Sequence, residues 1–203
     1  MHCCCSGVMS LFSTIRGKKG VPGIGTVAVG PIASKTKKLV IQEWPKMLEH
    51  QPNLFGIVWS SSACRSNSMK KTFGLGDNEN PADNEAFMKI WPTVQEFFHK
   101  LIVTMQLDDD LVRNACEELG ARHVDFIARG FNSNFWDIFL VCMAEVVDET
   151  LTGYITDEAK RAEMILAWQR FFNTIVHHMR TGYVERRKQQ IKNGTKALRN
   201  VNG

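Results

Sequence analysis

One stripe of apolar residues limits this chain more than any other feature. Phe87, Ile90, Val94, Phe97, Phe98, Leu101, Ile102 and Met105 recur at spacings of three and four. That is the period of a helix burying one broad face, whereas a half-buried strand alternates with period two. A second run, Met164, Ala167, Trp168, Phe171, Phe172, Ile175 and Met179, predicts a long last helix, with Gly182 as its terminator. Shorter helical runs span Leu39 to Leu48 and Leu54 to Trp59, parted by a turn at Gln51-Pro52-Asn53. No segment alternates with period two for long enough to argue a strand. The fold class expected is all-α.

Polar residues punctuate these helices. Gly74 to Pro81 reads as a loop, and Asp83 as the N-cap of the helix that carries the stripe. Leu107-Asp108-Asp109-Asp110 ends that helix and caps the next, and Thr156 or Asp157 caps the last. Pro92 falls inside the stripe, where it predicts a kink.

Charge divides the chain in three. Net charge is +4, yet every acidic residue lies between Glu43 and Glu185. Residues 39–185 hold 13 Lys and Arg against 21 Asp and Glu, and the flanking segments hold the other twelve bases and no acid. Basic arms on an acidic body point to an anionic partner for the arms. Apart from Phe12 the arms lack the interleaved aromatics of a base-stacking surface, so no nucleic acid is expected. The division expected is a disordered, Cys-containing basic arm over 1–35, a domain over 36–185, and a disordered basic tail over 186–203.

Six cysteines, three of them consecutive at Cys3, Cys4 and Cys5, do not form a disulfide framework. No apolar run reaches the length of a membrane span, and the first residues lack the apolar core of a signal peptide. The expectation is a cytoplasmic protein with reduced thiols. Its Cys3, Cys4 and Cys5 are candidates for S-acylation by palmitate, which would make it a lipoprotein. Several acyl chains, or one with a polybasic segment, would hold it on the anionic inner face of a membrane.

The chemistry-bearing stretch is Cys116 to Phe139, with His123 at its centre. Leu119 stands one helical turn before it, and an aromatic run from Phe135 to Phe139 follows a loop. A neutral imidazole there can ligate iron if a flat apolar cofactor lies against its face; taken alone, it also reads as an ordinary helix histidine.

Glu118-Leu119-Gly120-Ala121-Arg122-His123 resembles the proximal-histidine helix of globins. Phe73, after Met69-Lys70-Lys71-Thr72, resembles the aromatic at the globin corner that follows the third helix. Trp44 resembles the tryptophan of the first globin helix, and Phe55-Gly56 resembles the glycine where the second and fifth helices cross. Phe135-Trp136, Ala167-Trp168 and Met179-Arg180-Thr181-Gly182 are similar to motifs of nematode globins with extended, lipid-modifiable N-termini. The resemblance covers about residues 36–185. It implies a globin fold of about eight helices around a haem pocket, with haem b and its iron as cofactor.

Roles follow from the resemblance. It makes His123 the proximal iron ligand through Nε2, with Nδ1–H oriented by the Leu119 carbonyl, and it stacks Phe73 on the haem. Leu119, Phe135 and Ile138 would line the proximal side, and Val94 and Phe98 the distal side; ordinary core packing remains the other reading of each. At the distal position stands Ile90, or Trp91 if Pro92 shifts the register. Neither offers an imidazole, so the ferrous iron is not expected to be bis-histidine ligated. Trp59 or Ser60 would have to supply any hydrogen bond to a bound ligand.

Two functions are consistent with these residues. The first is reversible binding of dioxygen and other diatomic ligands, for storage or transport. The second is redox or signalling chemistry at a membrane, with a reductase partner: electron transfer, superoxide production, or nitrite and nitric oxide conversion. Enzymatic activity stays open as a side reaction. A haem-free helical interaction module is the reading left if His123 binds no iron.

Overall fold

The computed structural model describes the backbone of residues 30–201 and the side chains of residues 30–193. The arm carrying Cys3, Cys4 and Cys5 lies outside the described residues.

The first helix, α1 (Ser34–His50), contains Pro45 and buries Val40, Trp44 and Met47. Its two polar anchors reach distant elements. Trp44 Nε1 donates to His99 Nδ1 at 3.3 Å, and buried Glu43 accepts from the Tyr154 hydroxyl at 2.8 Å. After the expected turn, α2 (Leu54–Cys64) sinks Leu54, Phe55 and Val58. The short α3 (Asn67–Thr72) is capped by the Ser66 hydroxyl, which accepts from Met69 N.

The expected long stripe helix is divided. Asn80 caps a 3-10 turn at Pro81–Asp83, and Asn84, not Asp83, caps α4 (Glu85–Met88) by accepting from Phe87 N. A new helix, α5 (Trp91–His99), begins with Pro92 in its first turn. Proline is tolerated there because the first turn's amides have no helical acceptor, so Pro92 opens a helix instead of kinking one. A π turn over Lys100–Thr104 ends α5 and buries both Leu101 and Ile102.

The Asp108 carboxylate caps α6 (Asp109–Arg122), accepting from Asp110 N and Leu111 N. A 3-10 stretch, His123–Arg129, follows and ends at Gly130 with φ of 95°. Next comes α7 (Phe135–Tyr154), and Asp157 caps the last helix by accepting from Lys160 N. That helix, α8 (Glu158–Val201), does not end at Gly182. It runs on through most of the expected C-terminal tail, and Val184 to Asn193 are exposed on every side.

Aromatic rings from five helices meet in the core. Phe98 of α5 lies 5.1 Å from Phe55, 5.7 Å from Phe172 and 6.3 Å from Phe139 of α7, while Trp168 lies 6.2 Å from Trp44. The described residues contain no strand, and none of their helices is long and apolar enough to cross a membrane.

Candidate functional site: a caged histidine and a buried amide oxygen

His123 takes its place from the end of α6. The helix delivers it just past the last α-helical turn, where the Leu119 carbonyl accepts from His123 N and keeps a second lone pair. Nδ1 takes up that carbonyl at 2.8 Å. A carbonyl only accepts, so Nδ1 carries the proton and Nε2 holds the lone pair. Burial pushes the pKa of the ring below the ordinary imidazole value, against the hydrogen bond to Leu119. The ring is therefore neutral near pH 7, with its tautomer set for coordination through Nε2.

Aromatic rings enclose this imidazole. Phe131 lies 4.9 Å away, Trp136 5.3 Å and Phe126 5.7 Å between ring centroids. Phe131 and Trp136 in turn meet Tyr183 of α8. Phe135 is buried edge-on to Phe131, and Leu119 and Ile138 are half-buried against the main core. The expected proximal residues thus lie on adjoining elements with His123. The sequence reading did not single out Phe131 and Tyr183, and Trp136 entered it only within a motif.

Phe73 sits elsewhere, in a smaller group with Trp59 at 5.4 Å and Phe87 at 5.3 Å. Its neighbour Thr72 donates to Gly130 O at 3.1 Å, which ties this corner to the loop after His123. Phe73 remains more than one-third exposed, so its ring is not consumed by the core.

On α5, Trp91, Val94 and Phe98 share the inward face, but Phe98 packs in the central aromatic group. Ile90 is half-buried at the N-cap, about 100° around the helix from Trp91. Unlike Trp91 and Val94, it is not among the residues packed on the main core. On α2, Trp59 and Ser60 are each engaged with a backbone carbonyl. Trp59 Nε1 donates to Phe87 O at 3.1 Å and Ser60 Oγ to Ile57 O at 3.1 Å. Backbone carbonyls thus hold both of the donors that the sequence offered.

The polar group that the sequence reading passed over is Gln95. It lies one turn after Trp91 on the same face, and its Oε1 is buried without a hydrogen-bond partner. A buried amide oxygen left unpaired costs free energy, which a hydrogen-bond donor, or a turn of the amide, would relieve. A polar residue within an apolar helical stripe was the available signal.

These features accord with the comparisons. The sequence model of the globin family matches residues 58–179. Globin-related protein glb-13 of Caenorhabditis elegans is 33% identical over 97 residues, 43% of this chain and 32% of that protein. The chain thus matches about a third of that relative's length. This chain belongs to the globin family, and its all-α fold is a globin fold. Haem iron is the cofactor of that family. A neutral histidine of set tautomer, an apolar ring cage and an uncommitted buried amide fit such a group.

Proposed function

We propose that this globin binds dioxygen reversibly at a haem b iron held by His123. The hydrogen bond from Nδ1–H to the Leu119 carbonyl carries the reading, because it leaves Nε2 as the coordinating atom and holds the ring in one orientation. No cysteine stands within the four residues before His123, so the haem is held without the thioether bonds of a Cys-x-x-Cys-His site. Iron in this setting supplies reversible coordination of a diatomic ligand. Phe73 and Ile138, with Leu119 and Phe135, offer apolar surface to the macrocycle, and Val94 offers it from α5. Ile90 lies at the margin of that face.

Gln95 is the distal polar group in this proposal. Turning its amide by half a rotation would present an N–H donor to a polar diatomic ligand. A wholly apolar distal side would favour rapid oxidation and the redox alternative, and the Gln95 amide opposes that. The oxy complex of the haem-loaded chain tests the reading. Reversible oxygen uptake, with a Gln95→Leu variant that oxidises about tenfold faster, is expected from the loss of one hydrogen bond. An oxy form that decays within mixing time in both proteins would favour redox chemistry.

A further inference from the structure

Gly182 does not stop α8, and Gly120 does not end α6. Both lie where these helices cross. A Cβ built on Gly120 would fall 1.9 Å from the carbonyl oxygen of Met179. One built on Gly182 would fall 1.9 Å from the carbonyl oxygen of Glu117. The contact is reciprocal: each glycine faces the carbonyl three residues before the other. Backbone touches backbone in both directions, the geometry in which glycine Cα–H groups point at facing carbonyls.

Helices usually meet through interleaved side chains, which can repack when one is enlarged. Here the obstacle is main chain, so a methyl group at either glycine forces the helices about 1 Å or more apart. Glu117, Leu119, Gly120 and His123 lie within two turns of α6. The crossing therefore includes Gly120, the residue next to the carbonyl that orients His123.

We infer that the Gly120–Gly182 crossing is a positioning device that sets the height of His123, and hence the strain on its bond to iron. The inference rests on His123 being the iron ligand. Neither glycine touches the reacting atoms; both act through the backbone of α6. Tyr183, beside Gly182, meets Phe131 and Trp136, so α8 supports the imidazole through its ring cage as well.

The test compares Gly182→Ala with Gly153→Ala in the whole haem-loaded chain. Gly153 is an α7 glycine whose added Cβ would meet nothing within 4 Å, so it controls for the general effect of alanine in a helix. Gly182→Ala is expected to lower the iron–histidine stretching frequency of the ferrous form. It should also speed haem loss about tenfold, the scale of losing an outer support of a metal ligand. Gly153→Ala should change neither. A second background separates position from general loosening. In His123→Gly with free imidazole bound to iron, adding Gly182→Ala should leave the iron–imidazole band unmoved. A Gly182→Ala variant identical to the parent in band and haem loss would overturn the inference, as would a shift that persists with free imidazole. A His123→Gly variant keeping its iron–histidine band without imidazole would remove the ligand assignment itself, and this inference with it. Should Gly182→Ala not fold, hydrogen exchange of the parent decides. Amides of 117–123 opening together with those of 176–183 support the crossing as one unit, and 117–123 opening alone contradicts it.

Discussion

The two regions assigned to the proposed site are built differently. On the His123 side, one 14-residue helix, a 3-10 extension, a ring cage and a backbone crossing all bear on a single imidazole. On the Gln95 side, a four-residue helix, a nine-residue helix and a π turn follow one another, with Ile90 and Trp91 only half-buried. The first side has its side chain held by several independent contacts. The second keeps an amide oxygen with no partner. The contrast suits a site whose permanent ligand must stay in place while its exchangeable ligand comes and goes. It also shows where substitutions should be felt as lost structure and where as altered chemistry.

The largest difference expected is in stability. Trp136 is buried against His123, Phe131 and Tyr183, so Trp136→Ala should cost about 3–5 kcal/mol in denaturant unfolding. Trp91→Ala, at a half-buried position, should cost less than half of that while altering ligand binding. Equal losses at the two positions would break the contrast.

An intermediate effect is expected from pH. Burial holds the Cys116 thiol of α6 up at about 12, with Glu117 adding to the shift. The folded thiol thus keeps its proton where the unfolded thiol loses it. Stability is complete below the unfolded value near 9 and falls by up to about 1.4 kcal/mol per pH unit between pH 9 and 12. Cys116→Ala should flatten that alkaline decline in thermal unfolding, whatever it costs at neutral pH. An unchanged alkaline slope would count against the thiol's burial in α6.

Much of the His123 side could be read from local sequence. Leu119 and His123 are four residues apart, and the carbonyl–imidazole contact needs nothing beyond a helix end to form. The Asp108 cap and the Asp157 cap were legible for the same reason. Positions whose meaning depends on a distant neighbour were not. Gly182 has the composition of a helix terminator, and only the carbonyl of Glu117, 65 positions away in the chain, makes it a crossing point. Gly56, the glycine expected at a crossing, is buried in α2, and a side chain there would first meet Asn53. Pro92 is ambiguous by nature, since it either kinks a helix or begins one. The break falls after α4, where Ile90 N donates to Phe87 O in a tight turn and Pro92 then opens the next helix. Gln95 was overlooked because attention to apolar periodicity treats a glutamine as the solvent face.

The smallest effect belongs to the surface. Arg122 pairs with Glu118 at 2.8 Å one turn apart on α6, with both side chains largely exposed. Arg122→Ala should leave thermal stability and the haem spectrum unchanged within error, because exposed pairs contribute little. A clear spectral change would show that the His123 side depends on surface charge as well as on packing.

The central claim is most directly tested by the absorption spectrum of the dithionite-reduced, haem-loaded chain beside that of His123→Ala. The account predicts a five-coordinate, histidine-ligated ferrous spectrum in the parent, lost in the variant while its far-ultraviolet helix signal is retained. The same ferrous spectrum in both proteins would contradict it, because another residue would then hold the iron.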